Sequence, residues 1–173
     1  MFLQGAFNMT EFPKRKNIRL KDFDYSQNGC YFITICTHKR QKLFGEIVGE
    51  TLCGLPCKMI EKWFNEIENK FTDVKICDYV VMPDHVHFII SKTGDHMDQS
   101  TGDHIGSPLP DIVGWFKTMT TNEYIKRVKE QEYPPFYQKV WQRGYYEHII
   151  RDENDYMVKS KYIMNNIYKK SDN

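Results

Sequence analysis

Two runs of strand-forming residues meet at Pro83-Asp84: Val74–Met82 (VKICDYVVM) before it and His85–Ser91 (HVHFIIS) after it. β-Branched and aromatic residues dominate both runs, and the Pro-Asp pair leaves room only for a tight turn, so the stretch is constrained to a β-hairpin. Any fold for this chain has to be built around that hairpin. Side chains on a strand alternate faces, so His85 and His87 point one way while Val86 and Phe88 point the other. Two imidazoles on one face can grip a metal ion or can be two ordinary residues. Alone, the H-x-H spacing decides nothing, because short motifs carry weight only in context.

The remaining elements supply that context. Cys30–Cys36 (CYFITIC) follows an Asn28-Gly29 turn signal and reads as a strand. From about Pro56 to Phe71, Met59, Ile60, Trp63, Phe64 and Ile67 recur at helical spacing, with Glu61, Lys62, Glu66 and Glu68 opposite. Asp111 is expected to cap a second helix running to about Lys129, with Ile112, Trp115, Phe116 and Met119 inward. Tyr145–Arg151 reads as a fourth strand and Glu153 to about Tyr168 as a last helix. The order β-α-β-β-α-β-α predicts an α+β, ferredoxin-like split βαβ fold: a four-stranded antiparallel sheet with helices on one face, plus a C-terminal helix. One domain over residues 1–173 is expected, with a basic arm at 1–27 and a variable surface loop at 93–110 in which Thr-Gly-Asp-His occurs twice.

Composition narrows the class. No run is long enough for a membrane span, and the N-terminus lacks the order of a signal peptide, so a cytoplasmic protein without membrane contact is expected. Five scattered cysteines read as reduced thiols; Cys53 and Cys57 have the spacing of half a zinc site, but no second pair follows. Net charge is only +1, yet residues 1–42 carry eight basic side chains against three acidic ones. Arg15, Lys16, Arg19, Lys39 and Arg40 in that stretch, with Lys117 and Arg143 further on, are the candidate phosphate contacts; the alternative is a solvated charged tail.

A metal held by His85 and His87 needs a further ligand. Candidates are Asp84, which alternation turns away from the imidazoles, His148 on the fourth strand, and the last helix. His148 reads equally as a ligand, as a group orienting one through its ring N–H, or as a satisfied core histidine. In the last helix Tyr162 and Asn166 stand four apart, hence on one helical face. Of the eleven tyrosines only Tyr162 has an amide side chain four residues on. A phenol titrates near ~10 and is an uncommon nucleophile, but a phosphotyrosine link conserves the energy of a broken phosphodiester for resealing. Trp115, Phe116 and Trp141 are either base-stacking or core residues, with core packing favoured for the first two.

His85-Val86-His87 on a strand with a lone tyrosine on a later helix resembles the HUH single-strand DNA endonucleases. More narrowly, the chain is similar to the single-tyrosine transposases of IS200-like insertion sequences and to the REP-associated tyrosine transposases. The likeness runs through RKNIRLKDFDYSQNGCY (15–31), Tyr79–Ile90, Ser107-Pro108-Leu109 leading to Phe116-Lys117, VWQRGYYEHIIR (140–151) and Tyr162–Asn166. Relatives often end the helix motif in Asn-Pro where this chain has Asn166-Ile167, so the helix is expected to continue another turn. The resemblance implies single-stranded DNA carrying hairpins as partner and a divalent metal, Mg²⁺ or Mn²⁺, held by His85, His87 and Asn166. It also implies Tyr162 as the catalytic nucleophile, forming a 5′-phosphotyrosine intermediate in DNA transposition or REP-element processing. Relatives include homodimers with exchanged C-terminal helices and monomers. Two alternatives compete with nicking and rejoining: a non-cleaving hairpin-DNA-binding module of the same fold, and a zinc-type H-x-H hydrolase with His148 or Asp84 as third ligand.

Overall fold

A computed structural model describes residues 28–48, 51–93 and 106–166. Arg15, Lys16 and Arg19, the rest of the expected basic arm and most of the 93–110 loop lie outside the described residues. The elements are β1 (Gly29–Cys36), a 3-10 turn (His38–Arg40), β2 (Glu46–Val48), β3 (Thr51–Cys53), α1 (Leu55–Lys70), β4 (Val74–Met82), β5 (His85–Lys92), α2 (Leu109–Lys129), β6 (Tyr146–Ile150) and α3 (Glu153–Met164). Four strands form one sheet in the order β4-β5-β1-β6, every neighbouring pair antiparallel. The expected architecture is there, with a small β2-β3 hairpin added.

Alternation along the strands sorts the sheet into two faces. Tyr31, Ile33, Ile35, Val86, Phe88 and Ile90 meet Met59, Ile60, Phe64 and Ile67 of α1 and Ile112, Val113 and Phe116 of α2 in the main core. Phe64 is its hub: its ring lies 5.0 Å from Phe116 and 5.1 Å from Phe88, centroid to centroid. Burying side chains of this size contributes about 1.5–3 kcal/mol each. On the opposite face Phe32, Val80, Met82 and Ile89 meet Ile163 of α3 in a much smaller cluster.

Several boundaries differ from the sequence expectation for local reasons. Helix α2 begins two residues before Asp111, with Pro108 in the N-cap position and Pro110 inside the first turn, so Asp111 is a first-turn acidic residue, not the cap. Helix α3 starts where expected, because the Asp152 carboxylate accepts the Asp155 backbone N–H at 2.8 Å. It ends at Met164, not at about Tyr168. The Asn165 N–H still reaches the Lys161 carbonyl, but Asn166 N–H bonds back only three residues to Ile163 at 3.2 Å, which tightens the chain into a turn. Gly54, which precedes α1, has φ 149° and a backbone so close that an added Cβ would stand 3.1 Å from Gly45 Cα; only glycine sits there without strain.

Candidate active site

His85 and His87 lie on β5, an inner strand, and their imidazoles turn toward the α3 face of the sheet. Across the ladder His87 pairs with Thr34 of β1 and Val80 of β4, while His85 pairs with Cys36 and Met82. Both histidines are nearly sealed from solvent, at 7% and 5% exposure for His85 and His87. Their ring centroids are 4.6 Å apart, edge to face. Phe32 stacks on His87 at 5.4 Å. The surroundings are therefore apolar apart from a few placed groups.

Those groups hold the Nδ1 atoms of both rings. Thr34 Oγ1 lies 2.8 Å from His87 Nδ1, and Asp84 Oδ1 lies 2.6 Å from His85 Nδ1. Asp84 in turn receives the Arg40 Nε–H at 3.0 Å through its second oxygen. The expectation that Asp84 faces away is corrected here: it is a turn residue outside the pleat, so its carboxylate can fold back onto the ring of the next residue. On the other side of His87, Nε2 is buried with no hydrogen-bond partner among the described residues. Burial, then the charges of His85 and Arg40, push the His87 imidazole down to about 3, with Asp84 opposing. At neutral pH this ring is a neutral nitrogen donor.

Helix α3 crosses this face and brings Tyr162 to the pair. The phenol ring stands edge-on to His87 at 5.2 Å and to Phe32 at 5.9 Å, and the residue is 39% exposed. Burial of Ile163 against Phe32 and Ile89 sets the helix on the sheet. At its other end Tyr156 donates its hydroxyl to Asp78 at 2.9 Å, which ties α3 to β4. Asn166 follows in the closing turn, half-buried, and its Nδ2 has no hydrogen-bond partner among the described residues. Buried amides are normally satisfied, and the two ends of the amide are interchangeable by a flip that would put Oδ1 in that place. His85, His87 and Tyr162 are thus gathered in one chain, with Asn166 one turn beyond.

His148 is engaged elsewhere. Its Nε2 lies 2.8 and 3.0 Å from the two oxygens of Asp155 in the first turn of α3, so it fastens that helix to β6. The hydrogen bond from His148 holds the Asp155 carboxyl below the usual carboxylate range. Among the described residues no group of three or more His, Cys, Asp or Glu side chains is placed to hold a metal ion.

The expected phosphate contacts are spread along one end of the sheet. Lys39 lies over the Tyr137 ring at 4.5 Å, and Arg143 is exposed. The Lys117 ammonium reaches the Gln142, Arg143 and Gly144 carbonyls at 2.5, 3.1 and 3.5 Å. Burial pushes it down to about 8, while three carbonyl acceptors favour its charged form. Trp141 is a core residue, as Phe116 is: it packs on Phe44 and Phe116 and donates its indole N–H to Thr120. Trp115 packs half-buried against Trp63 and Phe71. Sequence reasoning missed Thr34 and the Arg40–Asp84 pair; the strand alternation of β1 was the one available signal for Thr34.

Comparison with known proteins places the chain in a family and matches its fold. A family model described as "Transposase IS200 like" matches residues 25–166. A Haemophilus influenzae protein of unassigned function is 36% identical over 169 residues, covering 88% of this chain and 87% of that one. Among solved structures, a REP-associated tyrosine transposase bound to a REP hairpin superposes with TM-score 0.59 at 21% identity, covering 84% of this chain and 70% of that chain. A Deinococcus radiodurans protein solved as a candidate transposase gives TM-score 0.51 at 17% identity, over 85% of this chain and 97% of that one. At such identities the structural matches speak for the shared fold.

Proposed function

We propose, from the premise that the chain belongs to the IS200-like transposase family, that it nicks and rejoins single-stranded DNA by transesterification with Tyr162 as nucleophile. The observation that carries this reading is the Tyr162 ring standing 5.2 Å from a buried His87 whose Nε2 has no hydrogen-bond partner among the described residues. A phenol beside an unsatisfied neutral nitrogen ligand suits attack on a metal-polarised phosphate. It has no evident use in a packed core.

The residues fit a divalent cation. Two imidazoles fixed through Nδ1 and one amide make a nitrogen and oxygen donor set, with His85, His87 and Asn166 as its members. Mn²⁺ accepts imidazole more readily and Mg²⁺ prefers oxygen, so either suits the set. When bound, the ion would stabilise charge building on the non-bridging phosphate oxygens. Tyr162 supplies the oxygen that attacks phosphorus. A bond forms from its Oη to phosphorus, the bond to the 3′-oxygen breaks, the phenol gives up a proton and the leaving 3′-hydroxyl takes one. The 5′-phosphotyrosine link that results is reversed by an incoming 3′-hydroxyl. Phe32 and Ile163 hold the helix so that the phenol stays at the histidine pair.

Hairpin-bearing single-stranded DNA is the proposed partner, in line with the hairpin held by the REP-associated relative. Lys139 and Arg143 line a cavity of about 450 Å³ between α2 and residues 136–143 that has no acidic lining residue, which suits a DNA strand. Tyr162 meets His87 within one chain, so a single copy can hold both groups. Asp84 holds His85 through Nδ1 and His148 holds Asp155, so neither stands as a third ligand beside the two histidines, which weighs against the zinc-type hydrolase. Among the described residues no helix is long and apolar enough to cross a membrane.

The test is to incubate the protein with labelled single-stranded hairpin DNA and Mn²⁺ or Mg²⁺, and to look on denaturing gels for DNA attached to protein. We expect a covalent adduct that needs the metal and vanishes in Tyr162→Phe. Cleavage without adduct, indifferent to the variant, would replace this reading with hydrolysis; binding without cleavage would leave a non-cleaving module.

A further inference from the structure

We infer that Arg40 and Asp84 form a positioning pair that fixes the orientation and tautomer of the His85 ring, with the proton of the neutral ring on Nδ1. The inference rests on the metal-assisted reading above for its purpose, but its geometry stands on its own. The Asp84 carboxylate is divided between two donors: Oδ1 takes His85 Nδ1 at 2.6 Å and Oδ2 takes Arg40 Nε at 3.0 Å. Arg40 is anchored a second time, its Nη1 meeting Cys36 Sγ at 2.8 Å. Cys36 is the ladder partner of His85, so the guanidinium brackets the histidine from the neighbouring strand.

The backbone accepts strain to make this arrangement. Lys39 and Arg40 are consecutive non-glycine residues with φ of 54° and 57°, a conformation that costs energy at each. The turn that carries Asp84 is pinned separately. Its carbonyl accepts both the backbone N–H and the hydroxyl of Thr37 at 2.9 and 3.0 Å, and the Pro83 carbonyl accepts Phe44 N–H at 3.1 Å. The Asp84 side chain is therefore not needed to close the hairpin. A carboxylate on the far nitrogen of a ligating histidine fixes its tautomer and raises its basicity. His87, by contrast, has only the neutral hydroxyl of Thr34 at that position. The two ligands are thus tuned unequally, His85 as the stronger donor.

The experiment uses the full chain labelled with ¹⁵N-histidine. Long-range ¹H–¹⁵N correlation spectra report the His85 tautomer without metal, and Mn²⁺ titration calorimetry reports affinity in the same samples. We expect His85 to be protonated on Nδ1 in the native protein and to lose that preference in Asp84→Ala. Mn²⁺ affinity should fall about 10–100-fold in Asp84→Ala, less in Arg40→Gln, and recover in part in Asp84→Asn, which keeps an acceptor. Native His85 protonated on Nε2, or measurable Mn²⁺ binding of equal affinity in native protein and Asp84→Ala, overturns the inference. Should Asp84→Ala fail to fold, Asp84→Asn and Arg40→Gln carry the comparison. A native protein that binds no Mn²⁺ but shows the expected tautomer would sink the metal reading and leave the positioning pair intact.

Discussion

The two faces of the sheet are made from alternate residues of the same strands, and they are built to different standards. On the α1/α2 side Ile33, Ile35, Val86, Phe88 and Ile90 are fully buried among aromatic and aliphatic partners, as a core should be. On the α3 side the same strands present Thr34, Cys36, His85 and His87, and two buried polar atoms, His87 Nε2 and Asn166 Nδ2, have no hydrogen-bond partner among the described residues. Unsatisfied buried polar groups are rare in folded proteins and cost about 1–3 kcal/mol each. One face stabilises the fold. The other gives up stability where a ligand could repay it.

That contrast can be broken most directly by one substitution on each face. Phe64→Ala empties the hub of the main core and should cost about 3–5 kcal/mol in chemical denaturation. Tyr162→Phe removes one hydroxyl from a side chain that is 39% exposed and should shift stability by less than about 0.5 kcal/mol, while abolishing the DNA adduct altogether. If Tyr162→Phe destabilised as much as Phe64→Ala, the α3 face would be a second core and the assignment of roles would fall.

The next test uses acid. His87 titrates near 6.5 when unfolded and is held down to about 3 in the folded chain, chiefly by burial. Between those values the unfolded chain binds a proton that the folded one refuses. This contribution is fully present above pH 6.5 and is lost progressively as pH falls toward 3. Urea unfolding across that window should therefore show stability rising with pH, with a shallower slope in His87→Phe. Equal slopes would mean that the imidazole is better solvated than its 5% exposure implies.

How far the sequence could be read also divides along these faces. The main core was legible because its residues obey two simple periods, 2 on β1 and β5 and 3.6 on α1 and α2, and burial follows period. The small β2-β3 hairpin was not, because strands of three residues carry too few positions for a pattern. On the site face His85, His87 and Tyr162 were legible as residue types at telling spacings. What escaped was whatever depends on a turn: Asp84 folding back on His85, Arg40 reaching it from strained backbone, and the end of α3 at Met164 in place of another turn. Asparagine is tolerated just past helix ends, so Asn165-Asn166 was a stop signal in plain view, outweighed by the absence of proline. His148 stayed open in the sequence for a different reason. A histidine's partner is set by the third dimension, and here it is Asp155.

A modest effect on stability, at the far end of α3, best separates holding the fold from holding the site. Asp152 caps α3 through the Asp155 N–H at 2.8 Å, and it does so at the end of the helix away from Tyr162. Asp152→Ala should cost about 1 kcal/mol, and thermal unfolding should stay a single transition because the main core is untouched. Helix α3, however, is only 12 residues long and contributes just Ser160 and Ile163 as buried side chains. A helix of that length is marginal on its own, so the loss should fall on α3 more than on the sheet. Hydrogen exchange should show α3 amides opening several-fold more often while β1 and β5 amides stay protected. The adduct yield should fall with the α3 protection, since Tyr162 stands at the histidines only while that helix is seated. Unchanged adduct with a loosened helix would mean that DNA itself reseats α3, and that the phenol is brought to the histidines by substrate rather than by the fold.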